Sequence, residues 1–376
     1  MDKKRILIVS AAFFPENSPR SFRTTELVKE FTRQGHDVVL YIPFTSIDFS
    51  STLKEQNLTI KNLGKLKLKD IKIEGNRLEA LLRRGLRRLL LLLIEFPDIE
   101  LMFKVSKSLK REHGYDLLIS IAVPHPIHWG VAMARSNKHK ISKLWIADCG
   151  DPYMGCKTDS FRKFFYFKYF EKWFCHKADF ISVPNEDHFG QYYPEFTKKM
   201  RAIPQGFRFE DSKVYVGKIK HDVPTFAFAG VLLKEKRDPT SLLKYLASIN
   251  KKFKFILYTR SRELVNPYVN QLGEKIEVRP YVRREELLYD LSQMDFLLNI
   301  EFHSSVGSNS PSKLIDYAIA GRPVLSLNME KMDIHLVNSF LDGDYSGKMN
   351  VGGADRFRIE NVSASFLNLL NEYNGI

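Results

Sequence analysis

The sequence predicts an α/β protein of two parallel-sheet domains, and three observations carry that prediction. Ile6 to Val9 is an unbroken apolar run, as in a strand covered on both faces. Comparable short strands alternate with helical stretches through both halves of the chain, the order expected of parallel α/β units. Between the two series, Glu210 to Pro224 has few large apolar residues and several charges, which marks a linker. We therefore place a first domain at 1–209, the linker at 210–224 and a second domain at 225–376, with the final helix free to pack back on the first domain.

Length and composition fit that division. At 376 residues the chain has material for two cores, and 44% hydrophobic with 27% charged residues is globular composition. A formal charge of +14 favours an acidic partner: nucleic acid, an anionic membrane or a phosphorylated small molecule. Cys149, Cys156 and Cys175 have neither zinc-site spacing nor the even count of a disulfide framework, so a reducing cytoplasm fits best. The opening MDKKRILIVS reads as a strand and not as a signal peptide. Leu89 to Ile94, the longest aliphatic run, is too short to span a bilayer, which leaves a cytoplasmic protein or one held peripherally on the inner membrane face.

Taken in order, the first strand runs into the loop FFPENSPRSFR and a helix from about Thr24 to Gln34, which Gly35 stops before a strand at His36 to Ile42. Ligands bind beyond the carboxyl ends of such strands, so Arg20 and Arg23 are candidate contacts for an acceptor. No Gly-x-Gly-x-x-Gly pattern is present there. Residues 78–94 set Arg83, Arg84, Arg87 and Arg88 against a face of leucines. Such a helix either lies on an anionic membrane or packs its leucines on the core. Phe161 to Lys177 is a second basic and aromatic segment. Tyr115 to Ala122 is a strand followed by Pro124-His125-Pro126, where His125 and His128 are acid-base candidates or structural residues. Ser142 to Ala147 is the next strand and leads into Asp148, Gly150 and Asp151, two carboxylates at a strand end that either serve chemistry or form a turn. Ile181 to Pro184 and Met200 to Pro204 complete the half.

The second half carries strands at 225–229, 253–258, 276–278, 296–300 and 324–327, with helices near 239–249, 262–272, 284–293 and 311–320. Gly230, then Lys234, Lys236 and Arg237, put positive charge beyond the first strand. In SNSPSKLIDYAIAGRPVLSL, Ser310 is an N-cap, Pro311 opens a helix and Gly321 ends it. A free helix start, a cation at Lys313 and a carboxylate at Asp316 suit a diphosphate and a diol, as a nucleotide presents them.

These stretches resemble the family 4 (group 1) glycosyltransferases, retaining enzymes of the GT-B fold with two facing Rossmann-like domains and an interdomain cleft. The resemblance lies in RILIVSAAFFPENSPRSFRTTELVKEFTRQGHDVVLYIP, IADCGDPY, FAGVLLKEKRDP and, most specifically, SPSKLIDYAIAGRPVL. It implies that Asp316 accepts hydrogen bonds from the donor ribose and that Ser310, Ser312 and Lys313 meet the diphosphate. It also implies that Lys236 or Arg237 neutralises the leaving phosphate, with Gly230 and Lys234 in the same loop. Tyr281 and Val282 correspond in position to residues meeting the base, and Asp151 with Asp148 to the acceptor or catalytic loop. Two departures stand out: Ser308 occupies the place of the family's first acidic residue, and Asn17-Ser18-Pro19 replaces a glycine pair.

The resulting expectation is a glycosyltransferase moving a sugar from a nucleotide-diphosphate sugar to a glycan or lipid-linked acceptor in bacterial surface polysaccharide synthesis. The nucleotide sugar is a co-substrate; no cofactor and no metal is expected, Asp342-Gly343-Asp344 being turn-like. A nucleotide-sugar 2-epimerase of the same fold is the alternative. A nucleic-acid-binding protein is favoured by net charge alone and has no recognition motif in this sequence.

Overall fold

The computed structural model describes residues 2–16, 18–43, 57–156, 162–301, 311–351 and 354–374. The chain forms two compact units. The first takes residues up to Gly206 together with the last helix, and the second runs from Phe207 to Arg358.

In the first unit the order is β1 (Arg5–Ser10), α1 (Pro19–Arg33), β2 (Asp37–Ile42), β3 (Leu58–Asn62), α2 (Arg77–Ile94), α3 (Ile99–Leu109), β4 (Tyr115–Ala122), α4 (Pro126–Ala134), β5 (Ser142–Cys149), α5 (Phe167–Lys177), β6 (Phe180–Val183) and β7 (Met200–Ala202). Among the described residues its seven strands are parallel, in the order β3-β2-β1-β4-β5-β6-β7. Alternate residues of β1 divide the core between two faces. Ile6 and Ile8 pack with Leu27 and Phe31 of α1, while Leu7 and Val9 face the side that holds Val105 of α3 and Trp129 of α4. Helices α3 and α4 approach closely at Gly130, where a Cβ would stand 2.6 Å from Val105 Cβ and 2.7 Å from the Met102 carbonyl oxygen.

The first helix begins five residues earlier than the sequence reading placed it. Ser18 caps it by accepting a hydrogen bond from Ser21 N, and Pro19 supplies a preset first turn. Arg20 and Arg23 are therefore helical.

The second unit comprises β8 (Thr225–Ala229), α6 (Thr240–Ser248), β9 (Lys254–Tyr258), α7 (Asn266–Leu272), β10 (Ile276–Arg279), α8 (Arg284–Leu291), β11 (Phe296–Ile300), α9 (Pro311–Ala320), β12 (Val324–Leu327) and α10 (Ile334–Leu341). Among the described residues its five parallel strands run β10-β9-β8-β11-β12. Phe226, Phe255 and Phe296 stack across three adjacent strands on one face, with ring centres 4.5 and 4.6 Å from Phe226. The last helix, α11 (Ile359–Asn374), returns to the first unit, where Val362, Phe366 and Leu369 join the α1 side of the core.

Gly321 follows α9 at φ +67°, a left-handed position suited to glycine, and its N–H closes the helix on the Tyr317 carbonyl at 3.2 Å. The helix cap at Ser310, and with it Ser308 and Asn17, lies outside the described residues.

Candidate functional site

A cavity of ≈ 220 Å³ opens in the second unit beyond the carboxyl ends of β8, β9 and β10. Gly230, Arg237, Tyr281, Val282, Lys313 and Asp316 are among its lining residues. Helix α9 is pinned there by Tyr317, whose hydroxyl donates to the Leu298 carbonyl at 2.9 Å and accepts from Ala229 N at 3.2 Å. Those two bonds fix the helix to β11 and β8. Leu314 and Ile315 are buried, and Lys313 and Asp316, three positions apart, both line the cavity.

The Lys313 Nζ is buried, lies 3.5 Å from the Phe228 ring centre and has no hydrogen-bond partner among the described residues. Burial pushes its pKa well below the usual lysine value, and the nearby Arg237 charge pushes in the same direction. Arg237 itself is lowered by burial. Two basic groups that disfavour each other's charge make a place for an anion. Gly230 helps by its shape, since at φ +145° it adopts backbone that glycine tolerates and brings no side chain toward Lys313.

Asp316 is held by Arg284, whose Nε and Nη2 stand 2.9 and 2.7 Å from Oδ1. Oδ2 is the acceptor that Arg284 leaves unused. Burial raises the Asp316 pKa, and the Arg284 charge and hydrogen bond oppose that rise. Arg284 in turn lies 3.7 Å over the Phe207 ring. Tyr281 is about half exposed and carries the Arg260 guanidinium 4.7 Å from its ring centre.

The basic loop after β8 divides. A tight turn between Leu233 and Arg237, closed by Arg237 N to Leu233 O at 2.8 Å, leaves Lys234 and Lys236 on its exposed tip. Arg237 alone of the three lines the cavity. Ser312 lies in the first turn of α9, and Ser310 is outside the described residues.

In the first unit, the geometry takes Asp148 out of the expected catalytic groups and Arg23 out of the expected acceptor contacts. The Asp148 carboxylate accepts from Arg23 Nε at 3.0 Å, Arg23 Nη2 at 2.9 Å and Ser182 Oγ at 2.7 Å, and is 3% exposed. Burial would raise its pKa, but the Arg23 charge and hydrogen bonds outweigh that and lower it. Arg23 also donates to the Ile203 and Pro204 carbonyls and lies over the Phe366 ring. Both are fully used in tying α1, β5, β6 and α11 together.

The remaining candidates cluster at the ends of β4 and β5. The Arg20 guanidinium fills the space where a Cβ on residue 150 would stand. His125 is buried against Tyr153, with ring centres 4.6 Å apart, and its Nε2 has no hydrogen-bond partner among the described residues. Burial lowers its pKa well below the usual value, and a hydrogen bond to the Asp151 backbone opposes the shift. The Asp151 side chain is exposed. His128 is structural: its Nδ1 meets Ser120 Oγ at 2.8 Å in the core.

Sequence reading missed Arg284, Tyr258 and Arg260. Arg284 lies 32 residues from Asp316, so only the fold reveals the pair. Among the described residues no three His, Cys, Asp or Glu side chains gather as a metal site. Asp342 pairs with Lys251 at 2.6 Å, and Asp344 accepts from Ser346 N within a turn.

No family profile matches the chain, and no curated protein sequence matches it. Solved structures do. A glycosyltransferase from Rickettsia africae superposes with a TM-score of 0.62 at 11% identity, covering 100% of this chain and 99% of that one. The lipopolysaccharide outer core galactosyltransferase WaaB gives 0.61 at 12% identity, covering 98% and 99%. Anabaena Alr3699/HepE in complex with UDP gives 0.61 at 11% identity, covering 98% and 100%. With its two parallel sheets, the chain has the GT-B fold of these glycosyltransferases.

Proposed function

We propose that this GT-B chain is a glycosyltransferase that moves a sugar from a nucleotide-diphosphate sugar to a glycan or lipid-linked acceptor, with retention, in bacterial surface polysaccharide synthesis. One observation carries the reading: the buried Lys313 Nζ, without a hydrogen-bond partner among the described residues, shares a strand-end cavity with Arg237 and Asp316. Lys313 and Arg237 bind the diphosphate. As the glycosidic bond breaks, charge builds on that leaving group, and fixed cations in a partly dry site stabilise it more than they stabilise the bound donor.

Asp316 accepts from the ribose hydroxyls through Oδ2, with Arg284 opposing the rise in pKa that burial causes. The Tyr281-Val282 segment meets the base. Anabaena HepE, solved with UDP and with UDP-glucose, supports a nucleotide-sugar donor by analogy. In the first unit, His125 Nε2 accepts a hydrogen bond from the acceptor, while Arg20 and Asp151 orient it.

Calorimetric titration with UDP, GDP and other nucleoside diphosphates, followed by transfer assays with the corresponding sugars, tests the proposal. Binding that Lys313→Met weakens, and sugar transfer that requires an acceptor, are expected. Absence of binding to every nucleoside diphosphate overturns the reading, and an isomerised nucleotide sugar formed without acceptor redirects it to an epimerase.

A further inference from the structure

Helix α2 departs from the usual design of a globular helix. None of its 18 residues is buried. Its apolar stripe is Leu78, Leu82, Leu86 and Leu89, spaced at i, i+4, i+8 and i+11, and these side chains are 66, 65, 50 and 48% exposed. The opposite, arginine-bearing side meets the preceding segment: Arg87 Nε donates to Asp70 at 2.7 Å and Arg83 to the Lys72 carbonyl at 3.3 Å. The helix thus turns its leucines away from the protein and its arginines partly toward it. A core-packing role for the stripe is excluded by that orientation.

A second exposed patch adjoins its carboxyl end. Tyr166 donates to the Leu93 carbonyl, and Lys163 pairs with Glu95, the residue after the helix. Beside Tyr166 stand Phe165 and Tyr169, 69 and 60% exposed.

The charge around this surface selects its partner. Residues 65–94 contain nine Lys and Arg but three acidic residues. A second copy of the chain docked stripe to stripe would bring those cations together, whereas anionic headgroups would neutralise them while the acyl boundary takes the leucines. No described helix is long and apolar enough to cross a membrane, which leaves an in-plane geometry.

We propose that α2 and the adjoining Phe165 and Tyr169 form a monotopic anchor that lies in the interface of a bilayer rich in anionic lipid. The anchor stands apart from the catalytic reading and survives if that reading fails.

The test is co-sedimentation of the full chain with vesicles of phosphatidylglycerol and phosphatidylcholine, against vesicles of phosphatidylcholine alone. Binding to the anionic vesicles is expected, weakened by salt, because surface charge attraction is screened. Replacing Leu82, Leu86 and Leu89 together by serine should lower the affinity roughly 100-fold or more, given the apolar area each leucine buries. The same change should leave thermal unfolding in place, since no residue of the helix is buried. As an independent readout, the emission of Leu82→Trp should shift to the blue when anionic vesicles are added. Failure of the wild-type chain to sediment, equal binding by the triple variant, or an unshifted tryptophan would each overturn the proposal. So would a dimer that the triple variant breaks in the absence of vesicle binding, which would assign the stripe to a second copy.

Discussion

The Lys313 ammonium stands 3.5 Å from the centre of the Phe228 ring, with no hydrogen-bond partner among the described residues. An aromatic face offsets part of the cost of removing a cation from water, but not all of it. In the folded chain the Lys313 pKa is depressed, so between that value and the usual 10.5 the unfolded chain binds more protons. Its contribution therefore makes stability rise with pH across that window. Lys313→Met should remove this liability and raise the melting temperature of the ligand-free protein at neutral pH by about 2–4 °C, equivalent to ~1 kcal/mol. Nucleoside diphosphate affinity should fall about 10- to 100-fold, as for loss of a hydrogen bond to a charged group. Differential scanning calorimetry and titration calorimetry check the two halves, and a fall in both quantities would contradict the assignment.

The same depressed lysine predicts a proton signature. An anion entering the cavity favours the charged form of Lys313 and raises its pKa toward the ordinary value. Binding at a pH between the free and the bound Lys313 pKa should therefore take up protons from the buffer. Titrations in buffers of different ionisation enthalpy measure that uptake, which Lys313→Met should abolish while Lys234→Met, on the exposed turn, leaves it intact.

The Arg23 and Asp148 pair supplies a test of the first unit. Arg23→Met leaves a carboxylate buried with Ser182 as its remaining side-chain hydrogen-bond partner among the described residues, and the loss should be about 3–5 kcal/mol. The Asp148 pKa is depressed on folding, so its stabilisation is present above the usual carboxylate value of 3.8 and is lost as pH falls through the lower folded value. Thermal unfolding followed from neutral to acid pH should show wild type and Arg23→Met converging at the acid end.

Much of this architecture was legible as alternating runs. The strands at Tyr115–Ala122, Thr225–Ala229 and Phe296–Ile300 were readable because burial on both faces makes them continuous in apolar residues. Edge strand β3, with its mixed LTIKN sequence, carries no such signal, and α3 and α10 were also missed, whereas a final helix packing back on the first domain was anticipated and is α11. In the site, Lys313 and Asp316 were legible because helical spacing puts both into one neighbourhood. Arg284 was not, since its link to Asp316 passes between two helices. Asp148 illustrates the converse limit: two carboxylates in one short stretch suggested chemistry, and only the fold shows that an arginine 125 positions away neutralises one of them.

That dependence on a distant arginine also governs Asp316. Burial raises its pKa, and Arg284 is the group that opposes the rise. If Asp316 must be ionised to accept hydrogen bonds from the donor hydroxyls, affinity weakens as pH falls through its pKa. Arg284→Met removes the opposing charge and should move that acid limb to higher pH, whereas Arg284→Lys should leave it near the wild-type position, although the lysine cannot reproduce both nitrogen contacts. Dissociation constants for a nucleoside diphosphate, measured across a pH series with each variant, read the shift directly. A purely architectural Arg284, acting through its place over Phe207, would lower the melting temperature and leave the midpoint of the acid limb where it was.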